Sequence, residues 1–224
     1  MKRMLSYIWP FIRTYQTEHN GTLEVVTTCG KKILESPHAI YSYGRVENIM
    51  RFALDKCSLH RVKRILILGL GGGCISRILR QEFNYKGNID AVEFDKEVIR
   101  IAKEEFGIQD TRRLSIYYDD AYHFMCQIPR HYDLIFVDVF IDCLIPSIFL
   151  SRGFCQLLKQ GLNPQGTIIF NLGINEMQKP EYQTVLDFFK RERDFSFELF
   201  NKVAYTNTIL VVQKQIKPKT LKQS

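Results

Sequence analysis

In four short segments of the chain an apolar or aromatic stretch is followed by glycines or carboxylates, residue types that bind the polar groups of small molecules. They are RILILGLGGGC at 64–74, AVEFD at 91–95, YYDDA at 117–121 and YDLIFVD at 132–138. Each begins with, or directly follows, an apolar run with β-branched residues that is typical of a buried strand. In a parallel sheet covered by helices, ligands bind at the carboxyl ends of the strands. The order and spacing of the segments therefore predict a nucleoside-binding site at that edge.

The first two segments predict how a nucleoside would be held. The glycine-rich loop joins a strand to a helix, where glycine permits a sharp turn and the free N–H groups favour electron-rich groups. Glu93 ends the next strand, and its carboxylate can accept two hydrogen bonds from a ribose diol. The alternatives are close helix packing for the glycines and a solvated strand end for Glu93. The predicted cofactor-binding glycines are Gly69, Gly71, Gly72 and Gly73.

The third segment adds two carboxylates, Asp119 and Asp120, and the small residue Ala121. One aspartate can accept a hydrogen bond from the exocyclic amine of adenine, with room for the ring left by Ala121, while the other caps the next helix. We assign the adenine to Asp120 and the cap to Asp119, and count all three residues as cofactor-binding. Asp95 is expected to cap the helix that follows Glu93.

The fourth segment ends in Asp138, the predicted catalytic residue. Beside a sulfonium group, a carboxylate can hold a cationic substrate or take a proton from an attacking amine. The alternative is a structural acid that accepts hydrogen bonds from loop N–H groups. Asp142 lies four residues further on and is a predicted substrate-binding residue.

The amino-acid composition limits the kinds of ligand and partner that we expect. The six cysteines and five histidines show no metal-ligand or disulfide spacing, so we expect no metal, and free thiols favour a cytoplasmic location. The net charge is +7, but five lysines and no acid follow Glu198, which is typical of a solvated tail rather than a nucleic-acid contact. No apolar run is long enough to span a bilayer. We therefore expect a small-molecule acceptor, with neither nucleic acid nor membrane as partner.

The order of the predicted strands and helices indicates an α/β protein with a Rossmann-like, methyltransferase-type fold. Strands and helices alternate from residue 64, which implies a parallel sheet, and two final strands predict an antiparallel closing hairpin. Strands are predicted at 64–69, 88–93, 114–118, 133–138, 166–171, 195–200 and 207–213. Helices are predicted near 74–83, 96–105, 120–127, 150–160 and 180–191.

A small N-terminal β element precedes this sheet. Asn20-Gly21 and Cys29-Gly30 separate short extended runs and are strong hairpin signals, and a helix is expected from Val46 to Cys57. Apolar hairpin faces of this kind can pair across a dimer, so a homodimer through this element is possible. The predicted divisions are 1–60 for the N-terminal element with its linking helix, 61–214 for the nucleoside-binding domain, and 215–224 for the basic tail.

Together the motifs resemble the spermidine synthase family, the polyamine aminopropyltransferases, from near Gly21 to Asn171. The resemblance implies the methyltransferase-like fold and S-adenosylmethionine or its decarboxylated form as the nucleoside. It also implies that Glu93 binds the ribose, that Asp120 accepts from the adenine amine, and that Asp138 deprotonates the attacking amine.

Three positions depart from the family pattern. The family's GGGDGG loop has an aspartate where this chain has Gly72, so the partner of the aminopropyl ammonium is missing. The family's Tyr-His-Glu segment is replaced by a segment with Tyr41 and Tyr43, which we predict as substrate-binding, and no glutamate. Its Asp-x-x-Asp-Pro segment becomes Asp138-Val-Phe-Ile-Asp142. A site for a polycation needs several carboxylates, so these losses disfavour polyamine synthesis.

Three hypotheses follow. The first is a methyltransferase that uses S-adenosylmethionine on a small-molecule acceptor, with catalysis largely by proximity. The second is a divergent aminopropyltransferase, and the third is a nucleoside-binding or assembly protein without catalysis. A nicotinamide dehydrogenase is disfavoured because that class usually has six parallel strands rather than an antiparallel ending.

Overall fold

The structure contains eleven strands and seven α-helices in the described part of the chain. The computed structural model describes residues 2–36, 40–42, 44–128, 130–174 and 180–215. The strands are β1 (Phe11–Gln16), β2 (Thr22–Thr28), β3 (Lys31–Glu35), β4 (Ile40–Ser42), β5 (Arg64–Leu68), β6 (Asn88–Glu93), β7 (Leu114–Tyr118), β8 (Tyr132–Val137), β9 (Leu162–Ile174), β10 (Phe195–Val203) and β11 (Asn207–Lys214). The helices are α1 (Lys2–Leu5), α2 (Arg45–Asp55), α3 (Cys74–Gln81), α4 (Lys96–Phe106), α5 (Ala121–Cys126), α6 (Arg152–Gly161) and α7 (Pro180–Arg191).

Seven strands form one sheet in the order β10-β11-β9-β8-β5-β6-β7. The pairs among β9, β8, β5, β6 and β7 are parallel, whereas β11 pairs antiparallel with both β9 and β10. The strand order reverses at β5, which lies between β6 and β8. The loops after β5 and β8 therefore lie at the topological switch point, where ligands bind in such sheets. The predicted fold class, with its closing hairpin, is confirmed.

Side chains alternate along the central strands and separate two hydrophobic cores. Ile65 and Ile67 of β5 pack into the core that includes α2 and α3, whereas Leu66 and Leu68 pack into the core that includes α5, α6 and α7. All four side chains are fully or almost fully buried. A strand buried on both faces reads as a continuous apolar run, which is why the sequence signal was strong here.

The strand predictions are confirmed to within a few residues except at β9. This strand begins at Leu162, directly after α6, rather than at residue 166. Pro164, Gln165 and Gly166 lie inside the strand, where the register with β8 shifts between Tyr132 and Leu134. These three residues, typical of turns, form a bulge within the strand, because the strand pairs on both sides of the irregularity.

Helix α2 belongs structurally to the α/β domain. Its buried residues Ile49, Met50, Ala53 and Leu54 lie in the same core as α3 and β5. The predicted division at residue 60 instead placed this helix with the N-terminal element. An amphipathic helix packs wherever its apolar face finds a partner, and here that partner is the central sheet.

The N-terminal element is a four-stranded antiparallel sheet in the order β1-β2-β3-β4. The predicted Cys29-Gly30 turn is confirmed, since both residues have positive φ (47° and 74°), as a two-residue hairpin requires. Leu23, Val25 and Leu34 of this sheet pack against the outer face of α4. Homodimer formation through this element stays a prediction.

A buried carboxylate fastens the N-terminal sheet to α4. Glu105 accepts hydrogen bonds from the Tyr15 hydroxyl (2.8 Å) and the Lys32 ammonium (2.7 Å), and it also pairs with Arg13. Burial alone would raise its pKa, but the bonds from Lys32, Tyr15 and Arg13 outweigh that effect and lower the pKa to about 2. Three donors from two strands thus converge on one helix residue.

We predict that Glu105→Gln lowers the free energy of unfolding by about 2 kcal/mol at pH 7, because the ionised acceptor of these charge-assisted bonds is lost. The depressed pKa means that the contribution is complete above pH 5 and disappears as the pH falls towards 2. Urea denaturation at pH 7 and pH 3 measures both values.

The matched control is Glu104→Gln. Glu104 is the adjacent residue, and it lies at the surface in a pair with Arg100. Exposed pairs contribute little, so this variant should change stability by less than about 0.5 kcal/mol. Equal effects of the two substitutions would contradict the role given to Glu105.

Candidate active site

A cavity of about 460 Å³ opens at the carboxyl edge of the parallel strands. It is bounded by the loops after β5, β6, β7 and β8 and by the end of β9. The predicted site residues among its lining are Gly69, Gly71, Glu93, Asp119, Asp120, Ala121, Asp138 and Asp142. The sheet thus brings together residues that are up to 73 positions apart, because parallel strands place their carboxyl ends side by side.

Gly69 joins the glycine loop to the end of β8. Its φ is +96°, and a Cβ atom there would lie 2.2 Å from the carbonyl oxygen of Asp138. Any side chain would push the two loops apart. Glycine is required here for the close approach at the switch point, which places the glycine loop directly beside Asp138.

Gly72 and Gly73 are not among the residues that line this cavity. Gly73 precedes α3 with φ +75°, and a Cβ atom there would lie 2.5 Å from the Ile108 side chain. The alternative reading from the sequence, close packing, therefore describes Gly73 better than ligand contact does.

Glu93 is buried and is held by the backbone around it. Its Oε2 accepts from the Gly71 N–H (3.1 Å), and its Oε1 accepts from the N–H groups of Phe94 (3.0 Å) and Asp95 (3.2 Å). Burial raises the pKa of this carboxyl to about 7, although the bond from Gly71 opposes the shift. The alternative of a solvated strand end is wrong, since only 6% of the residue is exposed.

The helix cap predicted for Asp119 is provided by its neighbour Asp120. Asp120 caps α5, because its Oδ1 accepts from the N–H groups of Tyr122 (2.8 Å) and His123 (3.0 Å). The cap predicted for Asp119 is therefore wrong, and Asp119 instead pairs with the His123 ring (2.7 Å). Both aspartates still line the cavity beside Ala121, so the adenine role of Asp120 stays a prediction. Asp95 caps α4 as expected.

Asp138 is half-buried and is oriented by a chain of amide side chains. Its Oδ1 accepts from Asn171 Nδ2 (2.8 Å), and Asn171 Oδ1 accepts from Asn207 Nδ2 (2.9 Å) and from the Gly173 N–H (3.1 Å). Burial raises the pKa of Asp138 to about 6, against the lowering effect of Asn171. A carboxyl group with this pKa is mostly ionised at neutral pH and can accept a proton.

The structure describes only some of the residues that were predicted to bind the acceptor substrate. Asp142 lines the cavity and accepts a hydrogen bond from the Ser36 hydroxyl, so the N-terminal element reaches this loop. The backbone of Tyr41 lies in β4, but its side chain is not described, and Tyr43 lies outside the described residues.

Sequence reasoning missed three asparagines that line the cavity. Asn171 is a polar residue near the end of β9, so the rule applied to the other strands could have found it. Asn207 begins β11, and an antiparallel strand brings its first residue to the edge where its parallel neighbours end. Asn20 lies in the predicted turn and donates to Asp95 Oδ2 (2.9 Å), a contact that no local signal reveals.

The described residues contain no group of three or more histidine, cysteine, aspartate or glutamate side chains placed to hold a metal ion. None of the helices described is long and apolar enough to cross a bilayer.

Residues 45–216 match the family model of the spermine/spermidine synthase domain. The chain belongs to this family. The match begins at α2 and extends just beyond β11, so it contains the whole seven-stranded sheet and every strand end that lines the cavity. The family resemblance inferred from the motifs is confirmed.

The relatives of this family member fall into two groups. Over 120 residues it is 31% identical to the eEF1A lysine and N-terminal methyltransferase of Bos taurus, covering 48% of this chain and 17% of that protein. Over 112 residues it is 31% identical to the polyamine aminopropyltransferase of Vibrio vulnificus, covering 49% of this chain and 37% of that protein. These matches span well under two thirds of either relative.

Solved structures show the same two groups. Human methyltransferase-like protein 13 in complex with SAH aligns with a TM-score of 0.60 and 25% identity, covering 79% of this chain and 83% of the other. A probable spermidine synthase from Corynebacterium glutamicum aligns with a TM-score of 0.61 and 19% identity, covering 96% and 80%. At 19% identity, the alignment with the probable spermidine synthase shows a shared fold and no more.

The raised pKa of Glu93 yields a prediction for stability. The folded protein holds a proton on this carboxyl between pH 4.5 and about 7 that the unfolded chain releases, so burial of Glu93 destabilises the fold as the pH rises. The cost reaches on the order of 3 kcal/mol by pH 8. In Glu93→Gln this pH-dependent part should be missing.

Thermal unfolding of both proteins from pH 5 to pH 8 measures the effect. The melting temperature of Glu93→Gln relative to the parent should rise with pH over this range. A constant difference would show that Glu93 is ionised throughout and that its burial has no such cost.

Proposed function

We propose that this protein is an S-adenosylmethionine-dependent methyltransferase that acts on a small-molecule acceptor. The observation that carries the proposal is the shared cavity of Glu93 and Asp138, with Gly69 packed against the Asp138 backbone between them. A carboxylate suited to a ribose and a carboxylate suited to a proton transfer thus face the same space.

The described residues fit such a nucleoside. Glu93 is fixed by three backbone N–H groups, and a carboxylate with its remaining lone pairs suits a ribose diol. Asp119, Asp120 and Ala121 would border the adenine.

The glycine loop favours S-adenosylmethionine over its decarboxylated form. Residues 69–73 carry no carboxylate, and Gly72 stands where the aminopropyltransferases have an aspartate. Without that charge, an ammonium group loses its partner and a carboxylate group loses a source of repulsion. The absence of the aspartate therefore supports methyl transfer over aminopropyl transfer.

The chain itself would position the reactants and accept a proton. When bound, S-adenosylmethionine supplies a sulfonium methyl group that is already activated towards nucleophiles. Asn171 orients Asp138, and the pKa of about 6 leaves this carboxylate ready to take the proton of an attacking group. Proximity accounts for most of the expected rate enhancement.

Aminopropyl transfer is the second candidate. Asp119 and Asp142 add two carboxylates to the cavity, and these could replace part of the lost charge. A family relative, the Vibrio vulnificus protein, is a polyamine aminopropyltransferase, which keeps this activity under consideration.

A thermal-shift series tests the nucleoside. A ligand present at a hundred times its dissociation constant stabilises the protein by about 2.7 kcal/mol. S-adenosylmethionine should therefore raise the melting temperature clearly, and more than decarboxylated S-adenosylmethionine at the same concentration. A larger shift with the decarboxylated form would reverse the preference, and no shift with either form would refute the proposal.

We predict that Asp138→Asn lowers turnover by about 10²–10³-fold without weakening nucleoside binding, because the amide cannot accept the proton. In the parent protein, turnover should rise with pH through about 6, where Asp138 loses its proton. Production of S-adenosylhomocysteine as a function of pH measures both effects.

The control for this experiment is Asp133→Asn on the same strand. Asp133 lies at the opposite end of β8, where it accepts from the N–H groups of Lys63 and Arg64. This substitution removes a structural carboxylate but should leave turnover and its pH profile unchanged. A loss of turnover as large as that of Asp138→Asn would show that Asp138 is not the base.

A further inference from the structure

The cavity has an apolar half at the ends of β8 and β9. Val139 and Phe149 are buried there, Phe140 is half-buried, and Ile148 and Ile174 are exposed at the rim. Exposed fractions of 47% for Ile148 and 56% for Ile174 are high for large apolar side chains. Apolar side chains around a cavity favour a ligand that buries apolar surface.

Charge is scarce in this half. Its carboxylates among the described residues are Asp138, which accepts from Asn171, and Asp142, which accepts from Ser36. A ligand with several ammonium groups would bring each of them beside apolar walls, and an unpaired buried charge is costly. The lining therefore disfavours a polycationic acceptor.

The aromatic wall is fixed by the backbone. Phe140 lies against Gly173, where a Cβ atom would be 3.1 Å from its ring, and Gly173 has φ +74°. The Gly173 N–H also donates to Asn171, the residue that orients Asp138. The wall and the candidate base are thus positioned by the same end of β9.

We propose that the acceptor is a neutral aromatic molecule with one reactive hydroxyl group, held between Phe140, Ile148 and Ile174 with its hydroxyl at Asp138. This inference rests on the proposed function and names the substrate class of the same site. A neutral phenol needs no second carboxylate, because it loses a single proton during the reaction.

The methyl transfer needs no group besides the acceptor hydroxyl, S-adenosylmethionine and Asp138. The hydroxyl oxygen attacks the methyl carbon of S-adenosylmethionine, and the carbon–sulfur bond breaks with its electron pair passing to sulfur. The hydroxyl proton passes to the carboxylate of Asp138. The products are an aryl methyl ether, S-adenosylhomocysteine and protonated Asp138, which returns its proton to water.

The first test measures binding of 2-naphthol by fluorescence titration, with and without S-adenosylhomocysteine, so it does not depend on turnover. Ile148→Asp should weaken binding at least tenfold, because the charge lies at the apolar wall. Leu144→Asp is the matched control: Leu144 is 53% exposed, lies on the same connection between β8 and α6, and does not line the cavity. It should bind 2-naphthol like the parent.

The second test follows production of S-adenosylhomocysteine with 2-naphthol, putrescine and spermidine as acceptors. Turnover with 2-naphthol that is lost in Ile148→Asp and kept in Leu144→Asp would support the inference. Equal binding of 2-naphthol by both variants, or turnover with the polyamines in preference to 2-naphthol, would overturn it. Failure of S-adenosylmethionine to bind would refute the proposed function instead, since 2-naphthol binding is measured separately.

Discussion

The buried carboxylate of Glu93 is the interaction on which the candidate site depends. It joins two backbone segments, because it accepts hydrogen bonds from the glycine loop at Gly71 and from the two residues that follow β6. The same bonds fix the end of β6 relative to α3 and α4, so the glycine loop and the sheet edge form one unit. Burial of an acid at this point raises its pKa to about 7 and destabilises the fold at high pH. Such a cost is typical of a site selected for binding rather than for stability.

Much of the fold and part of the site could be predicted from the sequence, for identifiable reasons. Strands buried on both faces produce continuous apolar runs, and their carboxyl ends share one edge, so Glu93 and Asp138 could be placed together. The rule does not extend to Asn207, since an antiparallel strand reaches that edge with its first residue. Which aspartate of a pair caps a helix depends on backbone angles, and this is why the cap of α5 is Asp120 rather than the predicted Asp119. The bulge in β9 follows from pairing with its neighbours rather than from its turn residues.

The family contains different transfer reactions on one scaffold, as its relatives with methyltransferase and aminopropyltransferase names illustrate. Function in such folds is set by the groups at the strand ends. In this chain the fold places Glu93 at one end of the cavity. The loop at Gly72 lacks a carboxylate, and the cavity walls after β8 and at the end of β9 are apolar. Both features reduce the attraction of the cavity for multiply charged amines. The N-terminal element contributes as well, since Ser36 donates to Asp142, which lines the cavity, and Asn20, which also lines it, donates to Asp95.

Isothermal titration calorimetry with S-adenosylmethionine tests the central claim most directly. In the proposed complex a ribose diol would donate to the ionised form of Glu93, so binding near pH 6.5 should release part of a proton from this carboxyl, whose pKa is about 7. Titrations in phosphate and in Tris buffer should therefore give different apparent enthalpies at that pH and the same enthalpy at pH 8.5, and Glu93→Gln should abolish binding. Undiminished binding by Glu93→Gln, or binding without any proton release at pH 6.5, would contradict the account.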